Sequence, residues 1–129
     1  MRTIKFRAWS NGKMVYQNNA LSKMSRFWRI IEQAKEHGEE VVIMQFTGLH
    51  GKNGKEIYEG DIVKPSFRDG NWFYRIISFE KGMFGYRDKT NSWCIMGIKQ
   101  GNKPDNKQYE VIGNIYENSE LVSGGTNGD

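Results

Sequence analysis

The chain has one cysteine in 129 residues, Cys94, so no internal disulfide can form, and a secreted scaffold held by disulfides is excluded. Nor does it need such staples. A chain this long buries roughly two-thirds of its unfolded surface, enough for a core of its own. No apolar run approaches the ~20 residues of a membrane helix. Residues 1–9 alternate charged and apolar side chains without the apolar stretch of a secretory leader, so the expected compartment is the cytosol, without membrane attachment. Internal repeats are absent.

Several chemistries are missing as well. A phosphate-binding loop needs four residues between its first glycine and Gly-Lys-Ser/Thr. Here five residues lie between Gly48 and Gly54-Lys55, and Glu56 takes the hydroxyl position, where it would repel phosphate. Gly51-Lys52-Asn53-Gly54 has the letters of a KH clamp but leads into a strand, whereas that clamp joins helices. His37 and His50 are 13 residues apart, which is not metal-ligand spacing. Cys94 sits in Trp93-Cys94-Ile95-Met96 and is expected to pack as a small hydrophobe. Glu56, Glu59 and Asp61 form one acidic cluster that could do acid–base work or hold a hard cation. No histidine or cysteine completes it, and Lys55 and Lys64 stand by as salt partners, so surface turn acids are the expected reading. No nucleophile has a recognisable base. The expectation is a non-enzymatic protein without catalytic residues, metal or cofactor.

Acidic residues are also unevenly spread. Residues 1–29 hold Arg2, Lys5, Arg7, Lys13, Lys23, Arg26 and Arg29 and no carboxylate, while from Asp61 onward nine basic residues meet nine acidic ones. An anionic partner is therefore drawn first to the N-terminal part.

What is present is mostly β pattern. Residues 4–9 alternate with period two, and Asn11-Gly12, the preferred pair for a two-residue type I′ turn, leads into Lys13-Met14-Val15-Tyr16. The predicted hairpin pairs Ser10 with Lys13, Trp9 with Met14, Ala8 with Val15 and Arg7 with Tyr16. One face carries Ile4, Phe6, Ala8 and Val15 as core; the other carries Lys5, Arg7, Trp9, Met14 and Tyr16. Residues 22–37 change to helical spacing through Met24, Phe27, Trp28, Ile31 and Ala34, with Ser22 as N-cap and Gly38 at the C′ position. Residues 41–46 form a strand apolar enough to be buried on both sides. After the glycine-punctuated stretch 47–60, short strands are expected at 61–64, 72–79, 83–88, 92–98 and 109–116, with turns at Asp69-Gly70, Lys81-Gly82 and 89–91. Five strands without an intervening helix fit an SH3-like barrel better than an OB-fold.

The expected architecture is α+β and mostly β. An N-terminal β-hairpin and one amphipathic helix (residues 1–60) pack beside a C-terminal SH3-like β-barrel (61–122), and 123–129 form a frayed tail. The barrel alone is small, so hairpin and helix are expected to share its core.

Three stretches carry a resemblance. Ile4-Lys5-Phe6-Arg7-Ala8-Trp9 comes first. Met44-Gln45-Phe46-Thr47-Gly48-Leu49 follows, running on through Asn53-Gly54-Lys55-Glu56-Ile57-Tyr58-Glu59-Gly60-Asp61-Ile62-Val63. Val111-Ile112-Gly113-Asn114-Ile115-Tyr116-Glu117-Asn118 closes the series. In this order they resemble the YopX family of small phage and prophage proteins, from residue 4 to about 121. His50-Gly51 replaces the family's usual charged pair, Ser119 stands where proline is common, and Ser10 stands where an acid is frequent. The resemblance implies a β-rich fold with an SH3-type barrel, encoded by a virus or prophage of a Gram-positive bacterium. It assigns no residue a role.

Two binding classes remain. Cations beside aromatics track phosphates and stack bases, and Lys5, Arg7, Trp9 and Tyr16 offer that combination. Lys64, Arg68, Arg75 and Arg87, among Phe67, Trp72, Tyr74 and Tyr86, are a secondary candidate for nucleic acid. The favoured class is a protein-interaction module engaging a host or phage protein, because a small barrel with an open edge can add a partner's strand. With Trp9, Met14 and Tyr16 outward, the hairpin could equally serve self-association into a homo-oligomer. The 47–61 motif reads first as turn chemistry: Thr47, Gly48, Asn53, Gly54, Gly60 and Asp61 suit turns, and Ile57, Ile62 and Val63 suit buried strand positions.

Overall fold

The computed structural model describes residues 4–17, 21–65, 74–87, 91–95 and 109–123. The chain divides into two compact units, Met1–Phe46 and Thr47–Asp129.

In the first unit, β1 (Phe6–Ser10) pairs antiparallel with β2 (Lys13–Tyr16) in the register that the Asn11-Gly12 turn dictates: Arg7 with Tyr16, Ala8 with Val15, Trp9 with Met14, Ser10 with Lys13. Both turn residues have positive φ, 51° and 76°, as a type I′ turn requires. On its other side β1 pairs with β3 (Val42–His50), Phe6 opposite Gln45 and Trp9 opposite Val42. Helix α1 (Leu21–Glu36) packs on one face of these strands: Phe27 and Ile31, one turn apart, close over Ala8, with Phe6, Val15 and Val41 around them. The helix stops in a Schellman motif. Gly38, at φ 76°, lets its N–H reach the Lys35 carbonyl and the Glu39 N–H reach that of Ala34.

Four expectations for this unit need correction. The helix begins at Leu21, so Ser22 lies inside its first turn and is not the N-cap. Trp28 is 41% exposed, lying edge-on to Phe6 and Phe27 at the margin of the core. Ile4 precedes β1 and is exposed instead of contributing to the core. The strand expected to be buried on both sides alternates instead, Met44 and Phe46 inside and Ile43 exposed. A run of apolar letters conceals which face a strand presents to solvent.

In the second unit, the last residues of β3 border β4 (Glu56–Tyr58), the two joined by the 3₁₀ turn Lys52–Gly54. Then follow β5 (Asp61–Pro65), β6 (Arg75–Ile76), β7 (Ser78–Glu80), β8 (Met83–Arg87), β9 (Trp93–Ile95), β10 (Tyr109–Asn114) and the short helix α2 (Glu120–Ser123). They form two curled antiparallel sheets, β10-β5-β6 and β7-β8-β9. The single strand expected over 72–79 is broken at Ile77, whose N–H and carbonyl pair with Asp61 and Gly60, so the chain passes from one sheet to the next. The described strands make two curled antiparallel sheets, a mostly β arrangement with one long helix. The core joins Ile57, Val63, Ile77 and Tyr109, packed with Leu49, Tyr86 and Val111.

Candidate functional site

The 47–61 motif is the structural seam of the second unit. Thr47 Oγ1 donates to the Ile57 carbonyl at 2.8 Å and accepts the Leu49 N–H, tying β3 to β4. Ile57 is fully buried in the core. Asp61 is only 2% exposed, and its Oδ2 accepts the Tyr58 N–H at 2.8 Å, closing the Glu59-Gly60 turn. The expected surface acid is thus an internal turn lock: a buried carboxylate accepting a main-chain N–H makes a charge-assisted hydrogen bond. Gly60 donates to Ile77 and accepts from Ile115, so one turn gathers three segments. Glu56 accepts from the Tyr58 hydroxyl, and the three acids do not gather: among the described residues no group of histidine, cysteine or carboxylates could hold a metal ion. His50 ends β3 instead of lying in a turn, and the His37 ring nitrogen Nδ1 lies 2.7 Å from the Gln33 carbonyl.

The C-terminal motif has the same character. Asn114 Oδ1 accepts the N–H groups of Tyr116 and Glu117, its Nδ2 donates to Glu117, and its N–H donates to Asn118 Oδ1. Gly113 leaves room for Asn118: a Cβ there would meet Oδ1 at 2.5 Å.

The sequence-predicted binding residues are mostly employed within the fold. Of the hairpin group, Arg7 is 3% exposed, its guanidinium over the Tyr16 ring and donating to the Tyr16 hydroxyl at 3.4 Å. Lys5 lies over the Phe46 ring, Trp9 is half-buried, and Tyr16 is 52% exposed. The four do share one face of the sheet, as the register requires, but Arg7 does not present its charge to solvent. In the second group Lys64 pairs with Glu110 at 3.7 Å, and Arg87 pairs with Glu80 while stacking on Trp93. Arg68 lies outside the described residues. Cys94 is half-buried in β9, its thiol 3.8 Å from the Ser92 carbonyl.

One constellation was visible in the sequence only in part, as Arg75 and Tyr86 of the secondary candidate without Tyr109. Arg75 lies over the rings of Tyr86 and Tyr109, 4.9 and 5.5 Å from their centroids, and the two hydroxyls are 3.2 Å apart. These residues come from β6, β8 and β10, whose proximity depends on long-range pairing that no local pattern encodes. Burial, reinforced by the hydroxyl bond to Tyr109, pushes the Tyr86 pKa well above its ordinary value. The native state therefore holds this proton more tightly than the unfolded chain. Stability is fully present below the ordinary tyrosine pKa near about 10 and is lost as pH rises beyond it. Urea midpoints measured from pH 8 to 11 should fall at the alkaline end, and Tyr86→Phe should flatten that fall. An unchanged slope in Tyr86→Phe would assign the loss to other groups.

Taken together, the described residues define a mostly β protein of two units, with one long helix, curled antiparallel sheets and motifs used for turns and core. A family model described as YopX protein matches residues 5–123, and the chain belongs to that family. The crystal structure of protein EF1440 from Enterococcus faecalis is similar in fold: TM-score 0.55, 24% identity, covering 95% of this chain and 100% of that one. The chain has no significant match among curated proteins.

Proposed function

We propose that the chain is a small phage- or prophage-encoded accessory protein, non-enzymatic, that works in the bacterial cytoplasm by binding another protein of the phage or its host. One observation carries the choice of a protein partner. The cations of the candidate nucleic-acid faces have partners within the chain, Arg7 buried against Tyr16, Lys5 over Phe46, and Lys64 and Arg87 in ion pairs at the surface, whereas large apolar side chains of the first unit stand exposed: Ile4, Tyr16, Trp28, Ile30 and Ile43. Burying apolar surface is the general driving force of protein association, and depletion of free charge fits it better than it fits phosphate binding. Membership of the YopX family supports the phage setting.

The test has two arms. Labelled single- and double-stranded oligonucleotides, titrated at about 50 and 200 mM salt where phosphate contacts lose most affinity, should not bind. Micromolar binding that weakens steeply with salt and is blunted by Arg7→Ala or Trp9→Ala would overturn the reading in favour of nucleic acid. In the second arm, the immobilised chain should retain a defined host or phage protein that Ile43→Glu, still folded by circular dichroism, fails to retain.

A further inference from the structure

The chain has three Asn-Gly pairs, Asn11-Gly12, Asn53-Gly54 and Asn127-Gly128, the last outside the described residues. An asparagine followed by glycine carries a latent reaction. The main-chain nitrogen of the glycine can close on the asparagine side-chain carbonyl carbon, because no Cβ on the glycine crowds the approach. In a folded chain the outcome depends on how freely that nitrogen moves.

The two described pairs differ at this atom. Gly54 N–H donates to the Gly51 carbonyl at 3.1 Å within the 3₁₀ turn Lys52–Gly54. That turn is closed a second time by Gly51 N–H on the Lys55 carbonyl, at 2.8 Å. The Gly54 nitrogen is therefore held before any reaction begins. Asn11 and Gly12 instead make up the whole of a two-residue turn, and both are exposed. Among the described residues the Gly12 N–H donates to no carbonyl, and the Asn11 amide has no hydrogen-bond partner. A Cβ at Gly12 would meet nothing within 4 Å, so the space around this residue is open. A tip held only by the ladder behind it opens more readily than a turn with bonds of its own.

We propose that Asn11 is a site of spontaneous covalent modification, deamidation with water as co-reactant, and that it reacts ahead of Asn53. The Gly12 nitrogen bonds to the Asn11 side-chain carbonyl carbon and gives its proton to solvent. The bond from that carbon to the amide nitrogen breaks, and ammonia leaves with a proton from solvent. Water then opens the cyclic imide at one of its carbonyl carbons. Attack at the side-chain carbon yields aspartate; attack at the main-chain carbon yields isoaspartate, in which the chain runs through the side chain. The products differ in what they do to the fold. Asp-Gly suits the same type I′ turn as Asn-Gly, so the pairing from Ser10–Lys13 to Arg7–Tyr16 survives. Isoaspartate adds a methylene to the main chain of the turn, and hairpin register is fixed by the length of that connection.

The experiment ages the full chain in mildly alkaline buffer, once native and once in denaturing urea. Conversion at each asparagine is read by peptide mass spectrometry, with isoaspartate separated from aspartate by chromatography. In the native chain Asn11 should convert roughly tenfold faster than Asn53, the scale of breaking one net hydrogen bond first. In urea the two rates should converge, because the fold no longer distinguishes them. Asn11→Asp should keep the urea midpoint of the fresh protein, whereas the aged isoaspartyl fraction should unfold at lower urea. Equal native rates at the two positions, or no conversion at Asn11, would overturn the site. A rate difference that persists in urea would assign it to neighbouring sequence and overturn the structural argument. An isoaspartyl fraction as stable as Asn11→Asp would overturn the expected loss of register.

Discussion

Ile57→Ala is expected to lower the unfolding free energy by about 2–5 kcal/mol, the range for emptying a buried aliphatic site that cannot collapse. Ile57 is fully buried and packs with Val63, Ile77 and Tyr109, which come from three other segments of the second unit. The cavity is thus lined by strands held in place by their own ladders, which limits relaxation. Because small domains are stable by only about 5–15 kcal/mol, the loss is a large fraction of the total. Urea unfolding at constant slope measures it, and Ile76→Ala, at an exposed isoleucine, is the control expected to stay within about 0.5 kcal/mol. Equal effects at both positions would show that the 47–61 motif does not staple the core. The motif would then need a different explanation for its long run of recognisable letters.

Gly85→Ala should be comparably damaging for the opposite reason. Gly85 pairs with Ile95 across β8 and β9, and a Cβ there would collide with the Cys94 carbonyl and approach the Trp93 ring to 2.9 Å. The carbonyl belongs to the ladder itself, so backbone must move to make room. Overpacking usually costs about 1–3 kcal/mol, and displaced main chain puts this case at the upper end. Since β9 is the strand that must yield, Cys94 should also react faster with a thiol reagent in the variant. An unchanged midpoint and unchanged thiol reactivity would mean that the two strands separate at little cost.

How far the sequence discloses the fold depends on how local the determining physics is. The hairpin register is legible because Asn11-Gly12 fixes the turn, and the turn fixes every pair along it. The end of α1 is legible because Gly38 alone makes the Schellman geometry inexpensive. Asp61 misleads: next to a glycine in a polar stretch it looks like a surface acid, and only the closed turn reveals the Tyr58 N–H it accepts. The break at Ile77 is equally hidden, because it follows from pairing with Gly60 and Asp61 far earlier in the chain. The same gap separates the candidate residues from their roles. Alternation correctly puts Lys5, Arg7, Trp9 and Tyr16 on one face, but it cannot say that Arg7 is buried there. Of the Arg75–Tyr86–Tyr109 group, alternating cations and aromatics suggest Arg75 and Tyr86, but Tyr109 joins them only through sheet topology.

The pairing of β5 with β10 bears on how the protein is made. Asp61–Pro65 leaves the ribosome long before Tyr109–Asn114, its partner along one whole edge. The hairpin β1–β2 closes locally, on a scale of about 1–10 μs, whereas a sheet completed by its last strand folds over about milliseconds to seconds. During synthesis Ile62 and Val63 therefore sit on an open, apolar strand edge that could pair with a neighbouring nascent chain. Only the arrival of Tyr109–Asn114 beside Asp61–Pro65 closes that edge.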